Sequence, residues 1–121
     1  MDADMVYIIE FIEKPVAQYK GGIEGYPATS PSKTGQKLDF KQSDVVRYRA
    51  FLDQQKRIYL DEIKAILERR PVVIQSFDVS FFGIVTRMKK EEVSKIRNIE
   101  GIKQIRADEL RTLMNGPLPY K

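Results

Sequence analysis

Val72-Val73-Ile74-Gln75-Ser76-Phe77-Asp78-Val79 and Phe81-Phe82-Gly83-Ile84-Val85-Thr86-Arg87-Met88 are two apolar runs, rich in β-branched and aromatic residues, with only Ser80 between them. Such side chains pack well on a pleated surface, so both runs read as strands. The tight connection around Asp78 to Ser80 makes them a hairpin in the middle of the chain. What lies on either side of that hairpin decides the fold.

Upstream, Val45, Tyr48, Leu52, Tyr59, Ile63 and Ile66 recur at three-, four- or seven-residue steps, the period of a helix with one buried face. Ser43 supplies an N-cap and Asp44 a negative charge at the first helical position, so a helix is expected over residues 43 to 70. Pro71 ends it, and Arg69 and Arg70 suit the negative end of the helix dipole. Downstream, Val93, Ile96 and Ile99 mark a shorter helix over 89 to 99, with Gly101 where a left-handed cap belongs. Residues 102 to 107 make a last strand, and 5 to 12 a first one, stopped by Lys14-Pro15. The order is β-α-β-β-α-β. It predicts an α+β, ferredoxin-like fold: a four-stranded antiparallel sheet with two helices on one face.

Between the first strand and the first helix, residues 15 to 42 collect Pro15, Pro27 and Pro31 with Gly21, Gly22, Gly25 and Gly35, the composition of a long loop. Residues 1 to 109 are read as one domain carrying this loop insertion, and 110 to 121, with Gly116, Pro117 and Pro119, as an extended tail.

The chain of 121 residues has no His, Cys or Trp. A Ser-His-Asp triad, a His-based zinc site and a thiol nucleophile are therefore excluded, which leaves only carboxylate, lysine or tyrosine catalysis open; no enzyme activity, metal or cofactor is expected. The net charge of +4 arises from 21 basic and 17 acidic residues interspersed along the chain, which reads as a solvated surface rather than a nucleic-acid footprint. No apolar run approaches a membrane span.

Side chains alternate across a strand, so Val6, Ile8 and Ile12 share one face of the first strand and Tyr7, Ile9 and Phe11 the other. Both sets are apolar. In the third strand Phe81 and Val85 lie opposite Phe82, Ile84 and Met88. Helices cover only one face of such a sheet, so the other should carry an apolar patch, which marks a partner's docking surface unless a second copy of the chain or the long loop covers it. We assign Tyr7, Ile9, Phe11, Phe82 and Ile84 to that open face.

The segment Lys14-Pro15-Val16-Ala17-Gln18-Tyr19-Lys20-Gly21-Gly22-Ile23-Glu24-Gly25-Tyr26-Pro27-Ala28-Thr29-Ser30-Pro31, followed by Lys37-Leu38-Asp39, is closely similar to an insertion in the propeptides of large secreted bacterial subtilases. Val6-Tyr7-Ile8-Ile9-Glu10-Phe11, Glu91-Glu92-Val93 through Ile96, and Ile99-Glu100-Gly101-Ile102-Lys103-Gln104-Ile105 also resemble that family, so the resemblance covers almost the whole chain. It implies a module that assists folding of its cognate subtilisin-like protease and then inhibits it, secreted or periplasmic, with the signal peptide outside this chain. The implied partner is the protease's catalytic domain, bound by the open face.

Relatives often place two acids, one residue apart, after the last strand to cap two helices of the protease. Here the matching positions are Arg106 and Asp108, so the second acid is kept and Glu109 stands beside it. The tail, counted as in short relatives, would enter the substrate cleft with Leu110, Arg111, Thr112, Leu113 and Met114. The loop at 20 to 38 is a plausible target for the proteolysis that would relieve inhibition.

Two other readings share this element order. An RNA-recognition motif would stack bases on Tyr7 and Phe82, yet Ser80-Phe81-Phe82-Gly83-Ile84-Val85 lacks the basic residue, the second-position Gly and the fifth-position aromatic of that signature. An acylphosphatase-like enzyme would need an Arg in its phosphate loop, and Gly21 to Gly25 has none.

Overall fold

The computed structural model describes residues 4–109. Strands β1 (Met5–Phe11), β2 (Val72–Phe77), β3 (Gly83–Met88) and β4 (Ile102–Ala107) form one sheet in the order β2-β3-β1-β4, with every neighbouring pair antiparallel. After β1 the insertion holds a short 3-10 turn (Val16–Gln18) and a one-turn helix, α1 (Pro31–Thr34), before the long helix α2 (Ser43–Leu67). Helix α3 (Lys90–Ile96) joins β3 to β4. The fold is α+β and ferredoxin-like, with α1 added inside the insertion.

The core lies between one face of the sheet and the two longer helices. Tyr7, Ile9 and Phe11 of β1 and Ile84 and Met88 of β3 meet Tyr48, Leu52 and Ile63 of α2 and Ile96 of α3, all buried. Full burial of such side chains contributes about 1.5–3 kcal/mol each, which is why the helical period in α2 matters more than its propensity. The insertion adds to this core. The Tyr19 ring stacks on Tyr48 with centroids 4.0 Å apart, and Val16 is fully buried.

Element ends differ from the sequence expectation for identifiable reasons. Gln42, not Ser43, holds the N-cap position of α2 and makes no side-chain cap bond there, and Ser43 is the first helical residue. It stops at Leu67, where Glu68 turns into the left-handed region (φ 60°) and its N–H closes on the Lys64 carbonyl. Arg69 then leaves the helix axis to meet Glu92, its Nε donating to Oε2 at 2.7 Å, so it serves a side-chain pair rather than the dipole. Glu92 also accepts the Lys89 N–H at 2.9 Å, tying the start of α3 to the end of α2.

The hairpin opens earlier than expected because the insertion claims its backbone. Val16 and Ala17 donate to the carbonyls of Asp78 and Val79, both at 2.9 Å, so β2 ends at Phe77 and β3 starts at Gly83. Gly101 is not a left-handed cap, since positive φ among the described glycines is confined to Gly21, Gly22, Gly25 and Gly35. Its role is close approach: a Cβ there would run into the Tyr59 ring.

Candidate docking surface

The register assigns the two faces. Ile8 pairs with Val85 on one side and Arg106 on the other, Val6 pairs with Arg87, and Glu10 with Gln104. These residues share the face away from the helices, because their neighbours Tyr7, Ile9, Phe11 and Ile84 are the ones in the core. Phe77 of β2 pairs with Gly83 and joins the same open face.

This corrects the face assignment made from the sequence. Tyr7, Ile9, Phe11, Phe82 and Ile84 are not an open patch, since all are buried and all belong to the helix-side core. Phe11 packs its ring against Tyr59 at 4.9 Å and Phe82 at 5.2 Å. The alternation itself is as expected, and only the side that meets the helices is reversed. A clue was present in β1: Glu10, its one charged residue, has the parity of Val6 and Ile8. Arg87 and Arg106 fall on the same face once the register is known. With Tyr7 and Phe82 only 6% and 2% exposed, neither ring can stack on a nucleic-acid base.

The open face contains a groove of about 280 Å³ lined by Ile8, Phe77, Phe81 and Val85, with Arg106 and Asp108 at one side. Phe77 and Phe81 meet edge to face at 6.2 Å; Phe77 is 37% exposed, Ile8 and Phe81 are half-buried, and Val85 forms the floor of the groove at 2% exposed. Beyond the groove the face is polar, with Gln104 Nε2 donating to Glu10 Oε1 at 2.8 Å and Lys103 Nζ 3.7 Å from Glu10 Oε2. An apolar centre with a charged edge is the anatomy of a protein interface.

Asp108 is placed by the backbone. Its N–H donates to the Val6 carbonyl at 2.8 Å, extending the β4 ladder one residue past Ala107 and fixing the carboxylate beside the groove. Glu109 is exposed next to it. The tail residues Leu110, Arg111, Thr112, Leu113 and Met114 lie outside the described residues.

No protein-family model, no curated protein and no solved structure matches this chain.

A larger cleft, about 660 Å³, opens between the insertion and α2, and on its wall Glu13 has one carboxylate oxygen bonded, Oε2, and the other, Oε1, buried with no hydrogen-bond partner among the described residues. The Tyr48 hydroxyl donates to the Lys14 carbonyl at 2.6 Å, and the Tyr59 hydroxyl to Glu13 Oε2 at 2.6 Å. Burial, with the bond to Glu13, pushes the Tyr59 hydroxyl up to about 12, and burial raises Tyr48 as well. Both phenols stay protonated and act as donors at neutral pH. Among the described residues no group of three or more acidic side chains could hold a metal ion.

Proposed function

We propose that this chain is the propeptide of a secreted or periplasmic subtilisin-like serine protease, assisting the folding of that protease and then inhibiting it. The sequence resemblance across the insertion, α3 and β4 supports this reading. The observation that carries it is the open face, where apolar Ile8, Phe77, Phe81 and Val85 stand beside Asp108 on a sheet whose helices all lie behind it.

The division of labour follows from physics. The apolar groove supplies most of the affinity by leaving water, while Asp108 sets registry by capping a helix N-terminus of the protease, whose unpaired N–H groups attract an acid. A tail running on from Glu109 fills the substrate cleft as an extended, product-like strand. Chaperoning and inhibition are then one set of contacts, since binding the folded protease lowers the free energy of that state. No catalytic role is assigned to the chain itself, and its partner is the catalytic domain rather than nucleic acid or membrane.

The test is inhibition of the cognate protease. Replacing Ile8 and Phe81 by Ser should weaken inhibition by about 1–4 kcal/mol, the range for losing central interface anchors, with the circular-dichroism spectrum unchanged. A chain ending at Glu109 should still bind but no longer compete with small peptide substrates. Full potency in both variants would overturn the reading.

A further inference from the structure

We propose that residues 32 to 42 are where an endoprotease first cuts the folded domain, and that this one cut releases the central strand. The proposal concerns the chain's own fold and stands whether or not the partner is a subtilase.

The insertion has two unequal halves. Residues 15 to 30 are pinned: Thr29 Oγ1 donates to the Val16 carbonyl at 2.7 Å, Thr29 and Ser30 donate their N–H groups to the Tyr19 carbonyl, Tyr19 is stacked on α2, and the exposed turn at 22 to 25 is tied back by the Ile23 N–H on the Tyr19 hydroxyl and by Arg47 on the Gly25 carbonyl. From Ser32 to Gln42 every residue except Leu38 is exposed. The backbone bonds that this stretch donates reach no further than four residues: Lys33 and Thr34 to Ser30, Gly35 to Pro31, Gln36 to the Thr34 hydroxyl, Lys41 and Gln42 to Asp39. Drawing it out as the extended strand that a protease takes breaks no ladder and no long-range backbone bond, whereas the hairpin link at Asp78 and Val79 is bonded to Val16 and Ala17.

The consequence lies in the topology. β1 sits between β3 and β4 and carries Tyr7, Ile9 and Phe11 into the core, yet this stretch is its covalent route to α2 and everything after it. Hydrolysis breaks one peptide C–N bond, water giving its hydroxyl to the new carboxyl end and a proton to the new amine. The domain then consists of two pieces held only by non-covalent contacts, so its stability depends on concentration.

Digestion of the full chain with a lysine-specific endoprotease tests both parts. The first cut between residues 4 and 109 should fall at Lys33, Lys37 or Lys41, read from fragment masses. Replacing these three by Gln should slow that cut by about tenfold or more, because cleavage elsewhere waits on opening of the fold. The nicked chain should lose its circular-dichroism signal on dilution while the intact chain does not. A first cut at any other lysine between residues 4 and 109, or a triple variant cut as fast as the parent, overturns the site. A nicked domain indifferent to dilution overturns the release.

Discussion

Glu92 ties the end of α2 to the start of α3 through one carboxylate. It takes the Arg69 guanidinium and the Lys89 N–H, and the Arg69 bond is the main cause that lowers its carboxyl to about 2, from an ordinary 4.5. A carboxyl whose folded value lies below its unfolded one contributes stability that is complete above the unfolded value. That contribution is lost as pH falls from about 4.5 towards 2, where the folded protein must also take up the proton. Glu92→Gln should therefore lower the urea midpoint at neutral pH and flatten its decline across that acid window. A variant with the same acid slope as the parent would show that Glu92 is not a linkage site. Such a pair was hidden in the sequence, because Arg69 and Glu92 lie on elements separated by the whole hairpin, and the dipole gave Arg69 a simpler local role.

Among the elements, the insertion departs furthest from its sequence reading. Its Gly and Pro content implied a loop, and it is one by secondary structure, but its first half is a packed layer against α2. Tyr19 explains this: its ring lies on Tyr48, its hydroxyl donates to the Tyr26 carbonyl at 2.6 Å, and the same oxygen accepts the Ile23 N–H at 3.0 Å. Arg47 adds a bond to the Gly25 carbonyl at 2.7 Å and lies over the Tyr26 ring. Tyr19→Ala should cost about 3–5 kcal/mol, the range for deleting a buried aromatic, measured by denaturant unfolding. Amide exchange should rise sharply from Gly21 to Ser30 and little in β3. Uniform loss of protection would mean that the insertion and sheet unfold as one unit.

At the scale of the molecule, the two faces of the sheet are distinguished by one adjacent pair of residues. Phe82 is 2% exposed and packs on Phe11, while Phe81 faces the groove beside Ile8 and Val85. Phe82→Ala should therefore destabilise the domain by about 3–5 kcal/mol, through loss of a buried aromatic. Phe81→Ala should change stability by far less and act on partner binding instead. Equal losses for the two would mean that the open face is packed as tightly as the core. Replacing Tyr7 and Phe82 by Ser, a surface change on the sequence reading, becomes a core change here, and unfolding is the expected result.

Local physics was legible in the chain because it repeats along it. The 3.6-residue period of Val45 to Ile63, the alternation in β1 and β3, and the breaks at Pro15 and Pro71 are set by neighbouring residues, and they determined the element order and through it the ferredoxin-like fold. The absence of His and Cys likewise fixed which chemistries the chain cannot perform. Alternation, however, divides a strand into two sets without saying which set meets the helices, and in β1 only Glu10 distinguishes two otherwise apolar sets. That choice was made by α2 and the insertion docking together on Tyr7, Ile9 and Phe11, which left Ile8 and Val85 outward with Asp108 held beside them by the Val6 carbonyl. It is a contest between whole surfaces brought together across the length of the chain, and only the tertiary structure decides it.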